Sequence, residues 1–277
     1  MNRLRREQCA YGAFALTLRS AGMSISRSGK ELRKLTTTGR LVHQTPSMTD
    51  APRILVVEDH PLFRAALIDV ICMTFPGAEV LQATSIGGAL DVVTGGDAID
   101  VILLDLSMPG TTGLLGALRV RIAAPRSALV IISAHDDSRI VGSAFALGIS
   151  GYIPKSTPKG ELAELIRSVL DGAVCVPKSL LEAPAAKQAR ADAQAILREL
   201  RALTPQQLCV LDMICRGLQN KQIAHELNIS ITTVKVHVTE VLRKLHVRSR
   251  TEAIVKISAL DFNQADSADL RSSKSQG

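Results

Sequence analysis

The sequence predicts an α/β domain built on a doubly wound, five-stranded parallel sheet, followed by an all-α domain of four helices. From residue 53 to 172, short apolar runs alternate five times with helical patterns, which is typical of parallel sheets because their strands need helical crossovers. From 203 to 260 there are four helical patterns and no strand signal. Acidic residues outnumber basic ones by four in 51–177, and basic residues outnumber acidic ones by four in 203–260. This contrast indicates two domains with different partners, nucleic acid being the candidate for the basic one.

The individual elements follow from these patterns. Residues 101–105, "VILLD", illustrate how the strands are predicted. An apolar run this short, bounded by turn residues, indicates a strand buried on both faces. We expect strands at 54–57, 79–83, 101–105, 128–133 and 151–153, and helices at 61–74, 85–95, 112–123, 137–147 and 158–171.

Composition limits the class of protein. A chain of 277 residues with 46% hydrophobic residues has room for about two domains with aliphatic cores, since aromatic residues make up only 3%. No apolar run reaches the roughly 18 residues that span a bilayer, so we expect a cytoplasmic protein without a membrane partner. The five cysteines lack metal-ligand spacing, which favours buried thiols in a reducing compartment: Cys9, Cys72, Cys175, Cys209 and Cys215.

The domain boundaries follow from composition as well. Residues 1–50 are basic, and we predict a disordered extension; a targeting peptide is the weaker alternative. Initiation at Met48, directly ahead of the first strand, should give a fully active protein, and a native peptide from residues 1–40 would exclude Met48 as the only start. We place the first domain at 51–175, an Ala-rich, partly helical linker that spaces the domains at 176–201, the second domain at 202–262 and a disordered tail at 263–277.

Polar residues stand at the ends of the predicted strands. Glu58 and Asp59 follow the first strand and Asp105 ends the third, while Ser133 and Lys155 close the fourth and fifth. Because sites in parallel sheets gather beyond the carboxyl ends of the strands, these side chains should converge. Three converging carboxylates need a cation, and oxygen ligands favour Mg²⁺. A hydroxyl and an ammonium at the same place suit a phosphoryl group, with Asp105 as a nucleophile that forms an acyl phosphate.

In this pattern, residues 53–170 resemble the receiver domain of two-component response regulators, which has a flavodoxin-like fold. The resemblance implies that Glu58, Asp59 and Asp105 hold Mg²⁺ and that Asp105 is the phosphoacceptor. It also implies that Ser133 is the switch hydroxyl, Lys155 the family's lysine and Tyr152 the aromatic switch, while Ser107 tunes the lifetime of the phosphoryl group. Glu58 stands where Asp is commoner in the family, which should alter metal affinity more than competence.

The second domain begins with a clear helix start. Thr204 can cap the helix, Pro205 suits its first position and Gln207 completes a capping box. A second helix is expected at 220–227 and, after a tight turn, a third from about 231 to 245, on which Lys235, Thr239 and Arg243 share the polar side. Two short helices joined by a tight turn, the second one basic, indicate a helix-turn-helix.

Residues 203–253 resemble the DNA-binding domain of the LuxR and NarL type along nearly their whole length, from "LTPQQ" through "TTVKVH" to "RSRTEA". The resemblance implies a dimer on double-stranded DNA, paired through the helix at about 250–260, with Lys235, Val236 and Thr239 facing base edges. It implies phosphate contacts for Asn220, Lys221, Thr232, Thr233, Lys244 and Arg248. Gln207 and Thr239 depart from the family's usual residues, which leaves the operator sequence open.

The function we predict is a DNA-binding response regulator rather than an enzyme. A sensor histidine kinase or a small phosphodonor would phosphorylate Asp105, and the modified protein would dimerise and bind a promoter. The alternative is an orphan regulator of the same fold that acts without phosphorylation. A phosphatase of the dehalogenase type is less favoured, because that class has a second Asp where this chain has Ser107.

Overall fold

The computed structural model describes residues 51–260 except 97, 109, 110, 112 and 135. The predicted N-terminal extension, the start at Met48 and the tail at 263–277 lie outside the described residues. Within the described part, no helix is both long and apolar enough to cross a membrane.

The first domain is built on one parallel sheet of five strands in the order β2-β1-β3-β4-β5. The strands are β1 (Arg53–Val57), β2 (Glu79–Ala83), β3 (Val101–Asp105), β4 (Ala128–Ser133) and β5 (Gly151–Pro154). Apart from its first residue, β1 is completely buried, as is all of β3, because helices cover both faces of the sheet. The order reverses direction between β1 and β3, which places their carboxyl ends side by side at a topological switch point.

Five helices cover the sheet: α1 (Pro61–Thr74), α2 (Ile86–Thr94), α3 (Gly113–Ala123), α4 (Ser138–Leu147) and α5 (Lys159–Leu170). On one face α1 and α5 pack over Ile54, Val56 and Leu103, and α2, α3 and α4 pack over Leu55 and Ile102 on the other. The predicted α/β fold is confirmed, and its elements begin and end within one residue of the expected positions.

The linker does more than space the domains, which corrects the sequence-based expectation. It contains a short helix, α6 (Lys178–Leu181), and a long one, α7 (Pro184–Leu200), which packs along α4. A Cβ added to Gly142 would lie 2.1 Å from the carbonyl oxygen of Ala186, so only glycine permits this close approach. Arg190 stacks over the ring of Phe145, with 4.5 Å between guanidinium and ring centre. The alanines of α7 are small residues that let two helices touch, as well as good helix formers.

The second domain has four helices: α8 (Pro205–Cys215), α9 (Asn220–Glu226), α10 (Ile231–Lys244) and α11 (Arg250–Ser258). The predicted capping box is present: Thr204 Oγ1 accepts from the Gln207 N–H at 3.2 Å, and Gln207 Oε1 accepts from the Thr204 N–H at 3.0 Å. Asn228, at φ 51°, makes the tight turn between α9 and α10.

The hydrophobic core on the α4 side of the sheet does not stop at the domain boundary. It continues through Ala193 and Leu200 of α7 to Leu208 of α8 and Ile257 of α11. A separate apolar cluster, which includes Ile214, Ile223 and Val234, holds α8, α9 and α10 together. Helix α7 is therefore a packed layer between the two domains.

Candidate functional site

The acidic residues predicted at the strand ends lie together beyond β1 and β3. Glu58 and Asp105 are buried, with 1% and 2% of their surfaces exposed, and Asp59 beside them is half-buried. The two strands pair directly, with Val57 opposite Leu104, so the residue that follows β1 and the last residue of β3 meet at one edge. Buried carboxylates this close repel each other and need positive charge nearby.

Lys155 supplies part of that charge. Its Nζ lies 2.8 Å from Glu58 Oε2 and 2.9 Å from Asp105 Oδ2. The ammonium also lies over the ring of Phe63, 4.6 Å from the ring centre. Burial opposes the charged amine, but the hydrogen bonds to Glu58 and Asp105 outweigh it and raise the pKa of Lys155. Lys155 is therefore held as a cation between Glu58 and Asp105.

Asp105 is held in one orientation by two donors. The backbone N–H of Ser107 donates to Oδ1 at 2.9 Å, and Lys155 donates to Oδ2 at 2.9 Å. Burial raises the pKa of Asp105, although both hydrogen bonds act in the opposite direction. A carboxylate that is desolvated and oriented by fixed donors is a suitable nucleophile toward phosphorus.

The structure adds two residues to this site that the sequence interpretation missed. His60 places Nδ1 2.9 Å from Glu58 Oε1 and 3.0 Å from Asp59 Oδ1. Arg64 donates to the carbonyl oxygen of Glu58 at 2.7 Å and so fixes the loop that carries the acidic pair. The only sequence signal for His60 is its position directly after Asp59.

This group of side chains fits a divalent cation. One ligand atom each from Glu58, Asp59, His60 and Asp105 lies within 4.8 Å of all the others. The carboxylates supply the oxygen ligands that Mg²⁺ prefers, and their negative charge exceeds what Lys155 alone can balance. The side chains that the sequence places in a metal site are thus in one place.

Ser133 is the last residue of β4, and Tyr152 is the second residue of the neighbouring strand β5. Both are completely buried. Burial raises the pKa of Tyr152 to about 12, while a hydrogen bond between the two side chains acts against it and the charges of Asp136 and Asp137 add to it. Ser133 and Tyr152, which the resemblance implies are the switch hydroxyl and the aromatic switch, are therefore hydrogen-bonded to each other, and the Tyr152 ring is buried.

A second group of candidate residues lies on α10. Lys235, Val236 and Thr239 are all exposed on it, and Val236 exposes 59% of its surface although it is apolar. The hydroxyl of Thr239 donates to the carbonyl oxygen of Lys235 at 3.0 Å, so its methyl group and the lysine remain available to a partner. An exposed row of this kind on the second helix of a helix-turn-helix suits contact with base edges.

The residues expected to contact phosphates are in less uniform surroundings. Lys221, Thr232, Thr233 and Arg248 are exposed at helix starts or in turns. Asn220 Oδ1 accepts a hydrogen bond from Arg250 at 2.7 Å. Lys244 donates to Ala202 O at 2.9 Å and to Gln207 Oε1 at 2.8 Å, so its amine also ties α10 to the start of α8.

Comparison with known proteins relates both domains to described families. The family model "Response regulator receiver domain" matches residues 54–167, and "Bacterial regulatory proteins, luxR family" matches residues 201–257. The chain is 40% identical over 213 residues to the glycerol metabolism activator of Pseudomonas putida, covering 76% of this chain and 96% of that protein.

The chain is also similar to a second curated protein and to a solved structure. The nitrate/nitrite response regulator protein NarL of Escherichia coli (strain K12) is 33% identical over 204 residues, covering 73% of this chain and 93% of that protein. RcsB from Salmonella enterica serovar Typhimurium, solved bound to a promoter with the phosphomimetic BeF₃⁻, is 18% identical with a TM-score of 0.45, covering 76% of this chain and all of that one.

Proposed function

We propose how this chain works from the premise that it belongs to the two-component response regulators that join a receiver domain to a LuxR-type DNA-binding domain. It is accordingly a DNA-binding regulator of transcription, and the proposal concerns how it is controlled. In our proposal, phosphorylation of Asp105 controls dimerisation and promoter binding. The observation that carries it is the orientation of the buried Asp105 by Lys155 and by the Ser107 N–H.

The proposed reaction is transfer of a phosphoryl group from a phosphohistidine of a sensor kinase, or from a small phosphodonor, to Asp105. A carboxylate oxygen of Asp105 forms the new bond to phosphorus. With a phosphohistidine, the bond from phosphorus to the imidazole nitrogen breaks and the leaving imidazole takes up a proton; with acetyl phosphate, the bond from phosphorus to the acyl oxygen breaks and acetate leaves. The reaction needs no general base, because it is the carboxylate form of Asp105 that attacks, and this side chain is oriented by two donors and shielded from water. The chain thus assists its own modification without being a conventional enzyme.

Mg²⁺ fits the site and would be held by Glu58, Asp59 and Asp105. When bound, it neutralises charge on the phosphoryl oxygens. Around it the chain's own residues have separate tasks. Lys155 is placed to bind a phosphoryl oxygen, since its ammonium already lies 2.9 Å from the reacting carboxylate. Arg64 keeps the acidic pair in position through the carbonyl oxygen of Glu58.

Ser133 and Tyr152 would transmit the effect of phosphorylation from Asp105 to the region of α4. A phosphoryl group brings new acceptor oxygens within reach of the Ser133 hydroxyl, which would have to exchange its bond with Tyr152 for one of them. The ring lies beside the start of α4, whose outer face is covered by α7. A change at Tyr152 is therefore next to the layer that joins the receiver to the DNA-binding domain.

At the output end, α10 would enter the major groove of double-stranded DNA with Lys235, Val236 and Thr239 on base edges. The phosphorylated chain would act as a homodimer paired through α11, on which Val255 exposes 63% of its surface. Lys221, Thr232, Thr233 and Arg248 are exposed and would contact phosphates, together with Asn220 and Lys244. We place the protein in the cytoplasm, where its DNA lies.

Sedimentation tests the proposal directly. Protein that begins at Met48 is measured with Mg²⁺, before and after addition of beryllofluoride, next to Asp105→Asn under the same conditions. A shift from monomer to dimer that is absent from the variant supports control by phosphorylation. An unchanged mass that goes with unchanged promoter binding supports the orphan regulator instead.

A further inference from the structure

The middle of the exposed face of α10 presents methyl groups rather than hydrogen-bond donors. Val236 exposes 59% of its surface, and Thr239, three positions later, is exposed as well. Side chains three positions apart on a helix are neighbours, so these two form one small apolar area. The area lies on the helix that would enter the major groove.

The hydroxyl of Thr239 is already engaged within α10. It donates to the carbonyl oxygen of Lys235, one turn earlier, at 3.0 Å. A hydroxyl has one proton, so this group cannot donate to a base unless it gives up its bond to the helix backbone. The methyl group is then the part of the Thr239 side chain that remains for a partner.

Two basic residues lie on either side of this apolar area, and they differ in how their charge is compensated. Arg243 is paired with Glu240, with 2.8 Å between Nη2 and Oε2. The ion pairs of the described residues leave Lys235 without a carboxylate partner, and its side chain is exposed. Lys235 is therefore the donor next to the two methyl-bearing side chains that is available to a base.

The receiver does not cover these side chains. The two domains touch where Asp212 of α8 is buried against Arg119 of α3, with 3.2 Å between Oδ2 and Nη1. Lys235, Val236 and Thr239 stay exposed with this contact in place. They are consequently open to DNA in this arrangement of the domains.

The major groove has a counterpart for each of these groups. Guanine offers the acceptors O6 and N7 to lysine, and thymine carries a methyl group that apolar side chains contact. The amino groups of adenine and cytosine are best bound by the side-chain oxygens of Asn, Gln, Asp or Glu, and none of the three exposed residues is of these types. Val236 and Thr239 are about 4.5 Å apart along the helix axis, close to the rise of about 3.4 Å between base pairs.

We propose that Val236 and Thr239 recognise the methyl groups of two neighbouring thymines and that Lys235 recognises a guanine beside them. An operator half-site would then contain two adjacent A·T pairs next to a G·C pair. The inference rests on the proposed function, because it takes α10 as the helix that enters the major groove. It goes further by naming the bases and by making methyl contact, not hydrogen bonding, the source of discrimination at two positions.

Replacing thymine by deoxyuridine tests this directly, because it removes the methyl group and keeps the base pair. The operator is first selected from random duplexes with the full chain, Mg²⁺ and beryllofluoride. Each thymine of one half-site is then replaced in turn, and the affinity is measured by fluorescence anisotropy. We expect two neighbouring thymines at which the affinity falls about fourfold, the effect of losing one buried methyl group.

Two substitutions at Thr239 separate its methyl group from its hydroxyl. Thr239→Ser keeps the hydroxyl, and it should lose about fourfold on the thymine duplex but nothing further when uracil replaces one of the two thymines. Thr239→Val keeps a methyl group without the hydroxyl, and it should bind as tightly as the wild type. Val236→Ala should become insensitive to uracil at the other thymine.

Thr94→Ser is the matched control. Thr94 is exposed at the end of α2, and its hydroxyl donates to the carbonyl oxygen of Leu90 at 2.7 Å, so the same atoms change in the same setting away from α10. This variant should follow the wild type on every duplex. Affinity for duplexes of unrelated sequence should be unchanged in all variants, because phosphate contacts dominate that binding, and this also shows that the variants are folded.

The outcomes separate the two proposals. If the full chain selects no preferred sequence, the proposed promoter binding fails. If it selects one but uracil has no effect at any thymine, or if Thr239→Ser and Val236→Ala remain as sensitive to uracil as the wild type, the inference about thymine methyl groups is overturned. A loss of affinity in Thr239→Val that is absent from Thr239→Ser overturns it too, because the hydroxyl would then contact the base.

Discussion

The acidic site of the receiver and the exposed residues of α10 differ in how far their charged groups are removed from water. In the receiver, Glu58, Asp105 and Lys155 are removed from water and bonded to one another. On α10, Lys235 and Val236 face solvent. Chemistry at phosphorus gains from desolvated, fixed groups, whereas contact with base edges requires side chains that are open to a partner.

The difference predicts how each region responds to substitution. A change in the acidic site alters both the chemistry and the free energy of unfolding, because its charges are held at a cost to stability. A change on the exposed side of α10 alters DNA binding and leaves the fold unaffected. Four substitutions test this contrast.

The largest effect is expected from Asp105→Asn. It removes the nucleophile, so labelling by acetyl phosphate with Mg²⁺ should be lost completely. Because burial raises the pKa of Asp105, its charged form disfavours folding, and the metal-free variant should be more stable than the wild type at pH 8. Urea unfolding measures this difference.

The same pair of proteins gives the pH dependence. A carboxyl group with a raised pKa in the folded state stabilises that state only when it is protonated, so its contribution is lost as the pH rises through the folded pKa. The advantage of the Asn variant should therefore shrink as the pH falls through the pKa of Asp105. A difference that stays constant with pH would show that the charge of Asp105 does not cause it.

On α10, Lys235→Ala should weaken promoter binding by about tenfold or more, since a good base contact contributes about 1–3 kcal/mol. Its free energy of unfolding should stay within about 0.5 kcal/mol of the wild type, because the side chain is exposed. Lys159→Ala, an exposed lysine on α5, carries the same change of charge and serves as the control in fluorescence anisotropy. Equal losses in both variants would reduce Lys235 to a general electrostatic role.

A smaller effect is expected from Arg248→Gln, at an exposed position in the turn before α11. If Arg248 neutralises one phosphate, the slope of log affinity against log salt should become less negative by about 0.9 for each bound chain. With six such contacts for each chain, the wild-type slope would be about −5. The measurement is promoter affinity at several salt concentrations, and an unchanged slope would remove Arg248 from the phosphate contacts.

The smallest effect is expected from Tyr152→Phe, which removes only a hydroxyl. Losing its bond with Ser133 should lower the free energy of unfolding by about 0.5–1.5 kcal/mol. Phosphorylation itself should persist, because Asp105 and Lys155 are intact. Urea unfolding and labelling by acetyl phosphate measure the two quantities on one sample, and a loss of labelling would place the hydroxyl in the chemistry.

Many of the features compared here could be predicted from the sequence, because residues close together in the chain encode them. The run that ends in Asp105 predicts a strand because burial on both faces leaves no polar residue within it, and the convergence of strand ends is a property of every parallel sheet. The capping box of Thr204 and Gln207 is encoded within four residues. The individual roles expected of Tyr152 and of the α10 residues came only from the resemblance to the family.

The missed features depend on contacts between distant parts of the chain. Nothing local to Asp212 distinguishes it from a solvated carboxylate on a helix, since its partner Arg119 lies 93 positions away in the chain. The alanines of α7 indicate a helix but do not show that it lies on α4. His60 was missed because a histidine before a helix has many ordinary explanations, and only the folded loop brings it to Glu58 and Asp59.

The close packing of α7 on Gly142 also affects how the chain is made. The last helix of the receiver, α5, ends at Leu170, but the helix that covers α4 is complete only at Leu200. At roughly 5–20 residues per second, a ribosome needs a few seconds to synthesise that interval. During this time the nascent receiver has all its strands while its α4 face is bare, so this is when a chaperone, or another nascent chain, can reach it.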